Sequence, residues 1–332
     1  MNRKYLKHII LKDFGEEGQR KISKSAVLII GCGALGSSVS GFLVRAGVGN
    51  ITIADRDRVE EGNLQRQLLF DESDIGKSKA KTACEKLKRI NSEVNISCAS
   101  EDIMSSNIED FVKGKDLVID ATDNIATRMI INDACVKNGI PWIYGGVLGS
   151  AGMSYNIFPS GPCLRCIMPD IPVSGESPGC DTYGVINTIP AVIGAIQSTQ
   201  AMKILIGDKP ETSMVRFDIW ENDFSLIEVE KNSDCECCVK KNFEFLKIKK
   251  SESVSVLCDN SVQIVPPQSE SLDLRKIFDN LEGIYESDLN ELMLTFEMDK
   301  KEITLFRNGR MIVKGTEDKG VARSIYYRVL GL

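Results

Sequence analysis

Short apolar runs alternate with helix-period stretches through the first half of this 332-residue chain. "AVLIIG" (26–31) is a β-rich run leading into "GCGALGSSVSGFLVRAG", where small and apolar residues recur at helical spacing up to Gly47. "NITIAD" (50–55) reads as a second strand, so the three together predict a βαβ unit and a parallel sheet. "SKAKTACEKLKRI" predicts an amphipathic helix, "VNISCAS" a strand and "DLVIDAT" a fully buried strand. "TRMIINDACVKNG" continues as a helix and "PWIYGGV" as a strand. Residues 1 to about 160 therefore predict an α/β fold: a doubly wound, Rossmann-like, mostly parallel sheet with helices on both faces.

The pattern changes after Gly152. "FPSGPCLRCIMPDIPVSGESPGC" is dense in Pro, Gly, Ser and Cys, and residues 152–180 read as loop. "INTIPAVIGAIQSTQAMKILIG" follows, an apolar helix over about 190–206. Its Asn, Thr, Gln and Lys make it a buried helix rather than a membrane span, which needs about 20 nearly uninterrupted apolar residues. Strands near "MVRFDIW" and "SLIEVE" precede "CECC", and "KIKKSES" (247–253) reads as a linker. Residues 1–250 and a small α+β domain over 251–332 are thus expected to be separate domains. In the latter, "RNGR" predicts a hairpin with a type I′ turn.

Composition narrows the function classes. An apolar share of 42% and a charged share of 27% fit a soluble folded protein. A net charge of −6 argues against broad nucleic-acid binding. The start, "MNRKYLKHIILKDFGEEG", is too polar for a secretory signal, and a cytoplasmic location is expected. The eleven cysteines are expected to be thiols, with close-spaced pairs binding metal. Cys32, Cys84, Cys98, Cys135 and Cys258 read as buried or incidental thiols. With His8 the only histidine, a histidine-based triad or histidine-rich metal site is nearly excluded.

Gly31, Gly33 and Gly36 form G-x-G-x-x-G between a strand and a helix, with Asp55 ending the next strand. Such a loop lets backbone approach a phosphate at a helix N-terminus, and the acid can take two ribose hydroxyls. It does not choose between NAD and ATP. The surroundings favour a polyphosphate: Asn63, Arg66 and Gln67 follow the ribose strand, and Lys79 lies in "GKSKA". Arginine suits a bidentate grip on phosphate and lysine a point contact. "DATDN" (120–124) sits at a strand end, where Asp123 is placed to hold magnesium and Asp120 to fix the loop. Cys163/Cys166 and Cys235/Cys238 are two C-x-x-C pairs that can furnish a closed, structural zinc site, with Cys237 a possible substitute ligand.

At this point the chain resembles the ThiF/MoeB/HesA adenylyltransferases, bacterial relatives of ubiquitin-activating enzymes. "GCGALGS", "ADRDRVEEGNLQRQ", "GKSKA", "DATDN", "CLRC", "CDTYGVINTIPAVIGAIQSTQAMKIL" and "CECC" carry the resemblance, in family order, over roughly residues 5–240. It implies that Asp55 binds ribose, that Asn63, Arg66, Gln67 and Lys79 handle phosphates, and that Asp123 coordinates magnesium. It implies a homodimer in which an N-terminal basic residue reaches the partner's nucleotide. Lys7 holds that position, in "KYLKH" where the family usually has "RYSRQ". The implied reaction joins ATP to the C-terminal glycine carboxylate of a small ubiquitin-like sulfur carrier ending in Gly-Gly. A sulfur donor, a cysteine desulfurase or persulfide carrier, then gives a thiocarboxylate for thiamin or molybdopterin synthesis. Cys180, by the resemblance, is a candidate for a covalent link to the carrier; the alternative is a loop cysteine without chemistry. Two other functions compete. An NAD(P)-dependent oxidoreductase leaves Arg66, Lys79 and the cysteine pairs unexplained, and a non-catalytic scaffold would lack part of the set Arg66, Lys79 and Asp123.

Overall fold

The computed structural model describes residues 3–169, 184–247, 253–257, 260–266, 272–281, 283–290 and 293–331. They fall into two compact units, one of residues up to 247 and one of residues from 253 onward.

In the first unit, α1 (Leu6–Ile9) and α2 (Gly15–Ile22) precede β1 (Ala26–Ile30), α3 (Ala34–Ala46) and β2 (Asn50–Ala54). Next come α4 (Lys79–Ile90), β3 (Asn95–Ala99), α5 (Ile108–Val112), β4 (Leu117–Asp120), α6 (Ile125–Asn138) and β5 (Trp142–Leu148). β6 (Ala151–Ile157), α7 (Leu164–Ile167), α8 (Thr188–Ile206), β7 (Met214–Asp218), β8 (Asp223–Ile227) and α9 (Glu244–Lys247) complete it. The strands form one sheet in the order β3-β2-β1-β4-β5-β6-β7-β8. The first five are parallel and the last three antiparallel.

Because β1 lies between β2 and β4, the winding reverses there, the point at which open α/β sheets place their ligand crevice beyond the strand ends. Register places Ile30 beside both Ala54 and Asp120. The loop after β1 is therefore flanked by the residues that follow β2 and β4. Alternating side chains divide the core between the two faces of the sheet. Val27, Ile29, Ile51, Ile53 and Ile119 pack with Val39 and Leu43 of α3 and Leu87 of α4. Leu28, Ile30, Val118 and Trp142 pack with Met129 and Ile131 of α6. Burying an apolar side chain of this size stabilises by about 1.5–3 kcal/mol, so both faces contribute heavily to holding the sheet.

Three sequence expectations change here. Residues 151–157 are strand rather than loop: β6 pairs antiparallel with the whole of β5. Its inward positions include Ser154 and Asn156, both buried, and their polarity hid the strand from an apolar pattern. Cys84 and Cys98 are joined in a disulfide, with Cα atoms 6.2 Å apart, rather than being separate thiols. The bond ties α4 to β3, where the helix packs over the strand it leads into. Helix α8 is long and apolar enough to cross a membrane by length and composition. It packs on α3, β5 and β6, and is buried along the face of Ile189, Ile193, Gln197 and Ala201 rather than all round.

The second unit has β9 (Ser253–Leu257), β10 (Ser261–Val265), α10 (Leu274–Leu281), β11 (Ser287–Leu289), β12 (Met293–Met298), β13 (Lys301–Phe306), β14 (Met311–Lys314) and α11 (Lys319–Leu330). Its antiparallel sheet runs β11-β12-β13-β14-β10-β9. Val262, Ile264, Leu294, Phe296, Ile303 and Leu305 form its core with Ile325 and Tyr326 of α11. The "RNGR" hairpin is present, but its turn is not type I′. Gly309 alone among these four residues has positive φ, 83°. Its N–H donates to the Phe306 carbonyl at 2.9 Å, and Phe306 N–H donates to the Arg310 carbonyl at 2.8 Å. This is a three-residue loop closed by a left-handed glycine, in which Asn308 keeps negative φ.

Candidate functional site

The glycine loop leaves β1 at Gly31, whose φ of 93° favours glycine. A Cβ there would lie 2.5 Å from the Ala121 carbonyl oxygen, and one on Gly36 would lie 2.0 Å from that of Gly31. The first turn of α3 thus seats directly on the loop, and both rest against the segment after β4. Gly33 is the N-cap of α3 and has no side chain to satisfy the helix's first amides, which suits an anion.

Asp55 follows β2. Cys32 N–H donates to its Oδ2 at 2.6 Å and Asp57 N–H to its Oδ1 at 2.7 Å. Each carboxylate oxygen keeps capacity for a further donor, as binding a ribose diol requires. Burial, then the neighbouring Asp57, pushes this carboxyl above its ordinary value, while Lys79 opposes the rise. Lys79 opens α4 and is only 6% exposed. Its amide donates to the Asp57 carbonyl at 2.9 Å, and its Nζ lies 3.7 Å from Asp57 Oδ2. The ammonium is consequently held where it acts electrostatically on Asp55.

The 60–70 segment turns back over this floor. A 3-10 turn at Glu61–Asn63 leads to Arg66 and Gln67, whose amides both donate to the Asn63 carbonyl. Gln67 is 4% exposed, and its Nε2 would lie 3.8 Å from a Cβ on Gly33. Asn63 Oδ1 and Gln67 Oε1 are buried without a hydrogen-bond partner among the described residues. Buried acceptors left unpaired cost about 1–3 kcal/mol each, and a ligand in the crevice can relieve that cost. Arg66 is half-buried and its Nη1 donates to the Gly62 carbonyl at 2.9 Å, so the guanidinium rests on its own turn.

Beyond β4, Asp120 is fully buried and accepts from Thr122 N–H at 2.9 Å and Thr122 Oγ1 at 2.7 Å. It fixes the loop, as its sequence position implied. Asp123 is exposed at the strand end, and the Asn124 side chain caps α6 by accepting from Ala126 and Thr127 N–H. Two arginines escaped the sequence reading. Arg56 pairs with Asp102 at 2.7 Å and approaches Asp57 at 3.6 Å. Burial works against its charge, but Asp102, Asp57 and Asp123 together hold it above the usual guanidinium value. Arg128 lies 3.2 Å from Asp120 Oδ2. The charge run "DRDRVE" signalled Arg56, but its partner is 46 residues away and nothing local names it.

The structure thus draws Gly31, Gly33, Gly36, Asp55, Gln67 and Lys79 into one cluster, with Asp123 on the facing loop. Lys7 is exposed on α1. Cys180 lies outside the described residues.

The cysteine pairs meet as expected. The Sγ atoms of Cys163, Cys166, Cys235 and Cys238 all lie within 4.8 Å of one another. Cys163 is 3.6 Å from Cys235, and Cys166 is 3.5 Å from Cys238. Zinc bonded to four thiolates at about 2.3 Å sets sulfurs about 3.8 Å apart, so the donor set fits a closed tetrahedral site. Cys237 stands outside this set. Its sulfur accepts from Asn132 Nδ2 at 3.1 Å, while Asn132 Oδ1 accepts from Leu164 N–H at 2.9 Å. Asp133 accepts from Phe245 N–H at 2.9 Å, so the middle of α6 pins the knuckle from both sides.

Residues 5–237 match the ThiF family. The chain is 37% identical to the sulfur carrier protein ThiS adenylyltransferase of Bacillus subtilis, over the full length of both. It is 35% identical to the sulfur carrier protein adenylyltransferase of Thermus thermophilus, covering 71% of this chain and 90% of that protein. Among solved structures, Escherichia coli MccB crystallised with ATP shares the fold with a TM-score of 0.59. That likeness has 22% identity and covers 67% of this chain and 69% of the other. A family match over most of the chain and full-length similarity to a ThiS adenylyltransferase lead to one conclusion: the protein belongs to the ThiF family of ThiF/MoeB-type adenylyltransferases.

Proposed function

We infer that this protein uses ATP to adenylylate the C-terminal glycine carboxylate of a ubiquitin-like sulfur carrier, and that the carrier is of the ThiS kind that serves thiamin synthesis. The observation that carries the reading is the convergence of Lys79, Asp55 and Gln67 on the Gly31–Gly36 loop at the point where the sheet reverses. Full-length similarity to a ThiS adenylyltransferase supports the choice of carrier.

In this reading the ribose hydroxyls donate to Asp55, and the phosphates lie along the glycine loop and the first amides of α3. A carboxylate oxygen of the carrier attacks the α-phosphorus, and the bond from that phosphorus to the bridging oxygen of the β-phosphate breaks. Acyl adenylate and pyrophosphate result. No protein nucleophile is needed; positioning and neutralisation of phosphate charge lower the barrier. Lys79, held by Asp57, supplies one cation, and Arg66 turns from the Gly62 carbonyl to supply a second. Asn63 and Gln67 exchange their unpaired state for phosphate or ribose contacts. Asp123, an exposed carboxylate at the strand end, suits magnesium, which prefers one or two carboxylates plus phosphate oxygens and would neutralise the pyrophosphate. A sulfur donor, a cysteine desulfurase or persulfide carrier, then displaces AMP.

A homodimer completes the site, with Lys7 of one copy reaching its partner's phosphates. Exposed Leu6, Ile10 and Leu11 beside Lys7 supply an apolar face for that contact. Cys163, Cys166, Cys235 and Cys238 would hold zinc in a structural role, since four thiolates leave no open position. Residues 251–332 form a domain separate from adenylation, for docking the carrier or the donor.

Exchange of radiolabelled pyrophosphate into ATP tests the reading. Exchange should appear only when a ThiS-like carrier ending in Gly-Gly is added. Silence with every Gly-Gly carrier tried would sink it.

A further inference from the structure

Resting on that adenylation reading, we propose that Arg128 is a positioning residue for Asp123 and thereby for the cation on the polyphosphate. Arg128 sits in the first turn of α6. Its Nη2 donates to the Thr122 carbonyl at 2.5 Å and to the Gly145 carbonyl of β5 at 2.9 Å. Its Nε faces Asp120 Oδ2 at 3.2 Å, and its guanidinium stacks 4.9 Å from the centre of the Tyr144 ring. From another direction, Gln197 of α8 donates to the Asp120 carbonyl at 2.9 Å.

The consequence falls on Asp123. Thr122 on one side is held at its carbonyl by Arg128 and at its amide and hydroxyl by Asp120. Asn124 on the other side is locked by its cap onto α6. The exposed carboxylate is therefore presented from a stretch of backbone whose two neighbours are fixed. Stability alone is a poor reason for such a pair, because a buried ion pair is often no better than apolar residues of similar volume. What the arginine does supply is a planar fork that reaches one carboxylate and carbonyls on two segments at once. A lysine point charge cannot reproduce that geometry.

Partners of this kind, one step removed from a metal-binding carboxylate, change metal affinity or activity by about 10- to 100-fold when removed. The test is carrier-dependent pyrophosphate exchange by Arg128→Gln and Arg128→Lys, with magnesium titrated at saturating ATP and the melting temperature read in parallel. The saturated rate should fall about 10- to 100-fold in the glutamine variant, and half-saturation should need several times more magnesium. The KM for ATP should move little, and the lysine variant should lie between wild type and Arg128→Gln. A lowered melting temperature with wild-type rate and magnesium dependence per folded molecule would overturn the proposal. Should Arg128→Gln fail to fold, Arg128→Lys and Gln197→Ala carry the same readouts. Wild-type protein separates the two levels: a silent wild type counts against adenylation itself, whereas an active wild type with unaffected variants counts only against Arg128.

Discussion

Helix α6 serves two polar sites that are built on opposite plans. Its first turn fixes the loop carrying Asp123 through Arg128, and its middle pins the cysteine knuckle through Asn132 and Asp133. In the knuckle the four sulfurs face one another, and a metal bound to all four would have no coordination position left for a substrate. In the crevice the side chains are held from behind by backbone groups, as Asp55 is by the amides of Cys32 and Asp57. Buried Asn63 and Gln67 oxygens go unpaired among the described residues. The first plan spends its donors on holding the fold together, whereas the second leaves polar groups unsatisfied so that a ligand can satisfy them. Unpaired buried oxygens among the described residues therefore stand in the crevice, at Asn63 and Gln67, while the four sulfurs of the knuckle face one another.

That contrast can be broken at the knuckle first. With zinc bound there as proposed, Cys163→Ser should release it, and a structural zinc site contributes folding free energy directly. With a cost of several kcal/mol, and roughly 2–4 °C per kcal/mol in a domain of this size, the melting temperature should fall by about 10 °C. Exchange activity per folded molecule should stay close to wild type. A large loss of rate with an unchanged melting temperature would show that the knuckle takes part in chemistry, and the division of labour would be wrong. The reverse pattern is expected in the crevice. Arg66→Ala should lower the saturated exchange rate by about 100- to 1,000-fold, the size of effect seen when one transition-state donor is removed. Half-buried and, among the described residues, bonded only to a carbonyl of its own turn, Arg66 should change stability by no more than about 0.5 kcal/mol.

Arrangements set by local spacing were legible in the sequence, whereas those set by packing were not. The clustering of Gly31, Gly33, Gly36 and Asp55 was legible because a tight strand-to-helix turn allows few residues, and that of the two C-x-x-C pairs because such spacing is what a four-cysteine metal site requires. The alternation of strands and helices through α6 was legible for the same reason, with β4 buried throughout. Strand β6 was missed because it carries Ser154 and Asn156 inward, where Asn156 donates to Gln200 of α8 at 3.1 Å and to the Glu211 carbonyl at 2.8 Å. The Cys84–Cys98 bond depends on how α4 lies over β3, which no spacing rule reveals. Arg128 is the plainest case. Its fork spans carbonyls 23 residues apart in sequence, at Thr122 and Gly145, so the residue looks like any surface cation until β4 and β5 are side by side.

The smallest effect lies at Asp55, where the crevice's plan has a pH signature. An aspartate in water titrates near 3.8, but burial and the nearby Asp57 raise this one. In the proposed reading the ionised carboxylate accepts from ribose hydroxyls as a charged partner, and protonated it would lose most of that strength. Because the native value is raised, the loss begins at a higher pH than for an ordinary aspartate. The KM for ATP should thus rise as pH falls, before bulk carboxylates are much protonated. Lys79 opposes the shift, so Lys79→Met should push the carboxyl higher still and move the rise in KM to higher pH. Asp55→Asn should bind ATP weakly with no such pH dependence, since its amide cannot titrate and offers one oxygen where the carboxylate offers two. A KM for the wild type that stays flat down to the ordinary aspartate range would mean that bound nucleotide, through its own hydroxyl donors, returns the carboxyl to its usual value. Comparison of free-enzyme and ATP-bound titrations then measures how much of the burial penalty the ribose removes, and so how far the crevice is prepared before its ligand arrives.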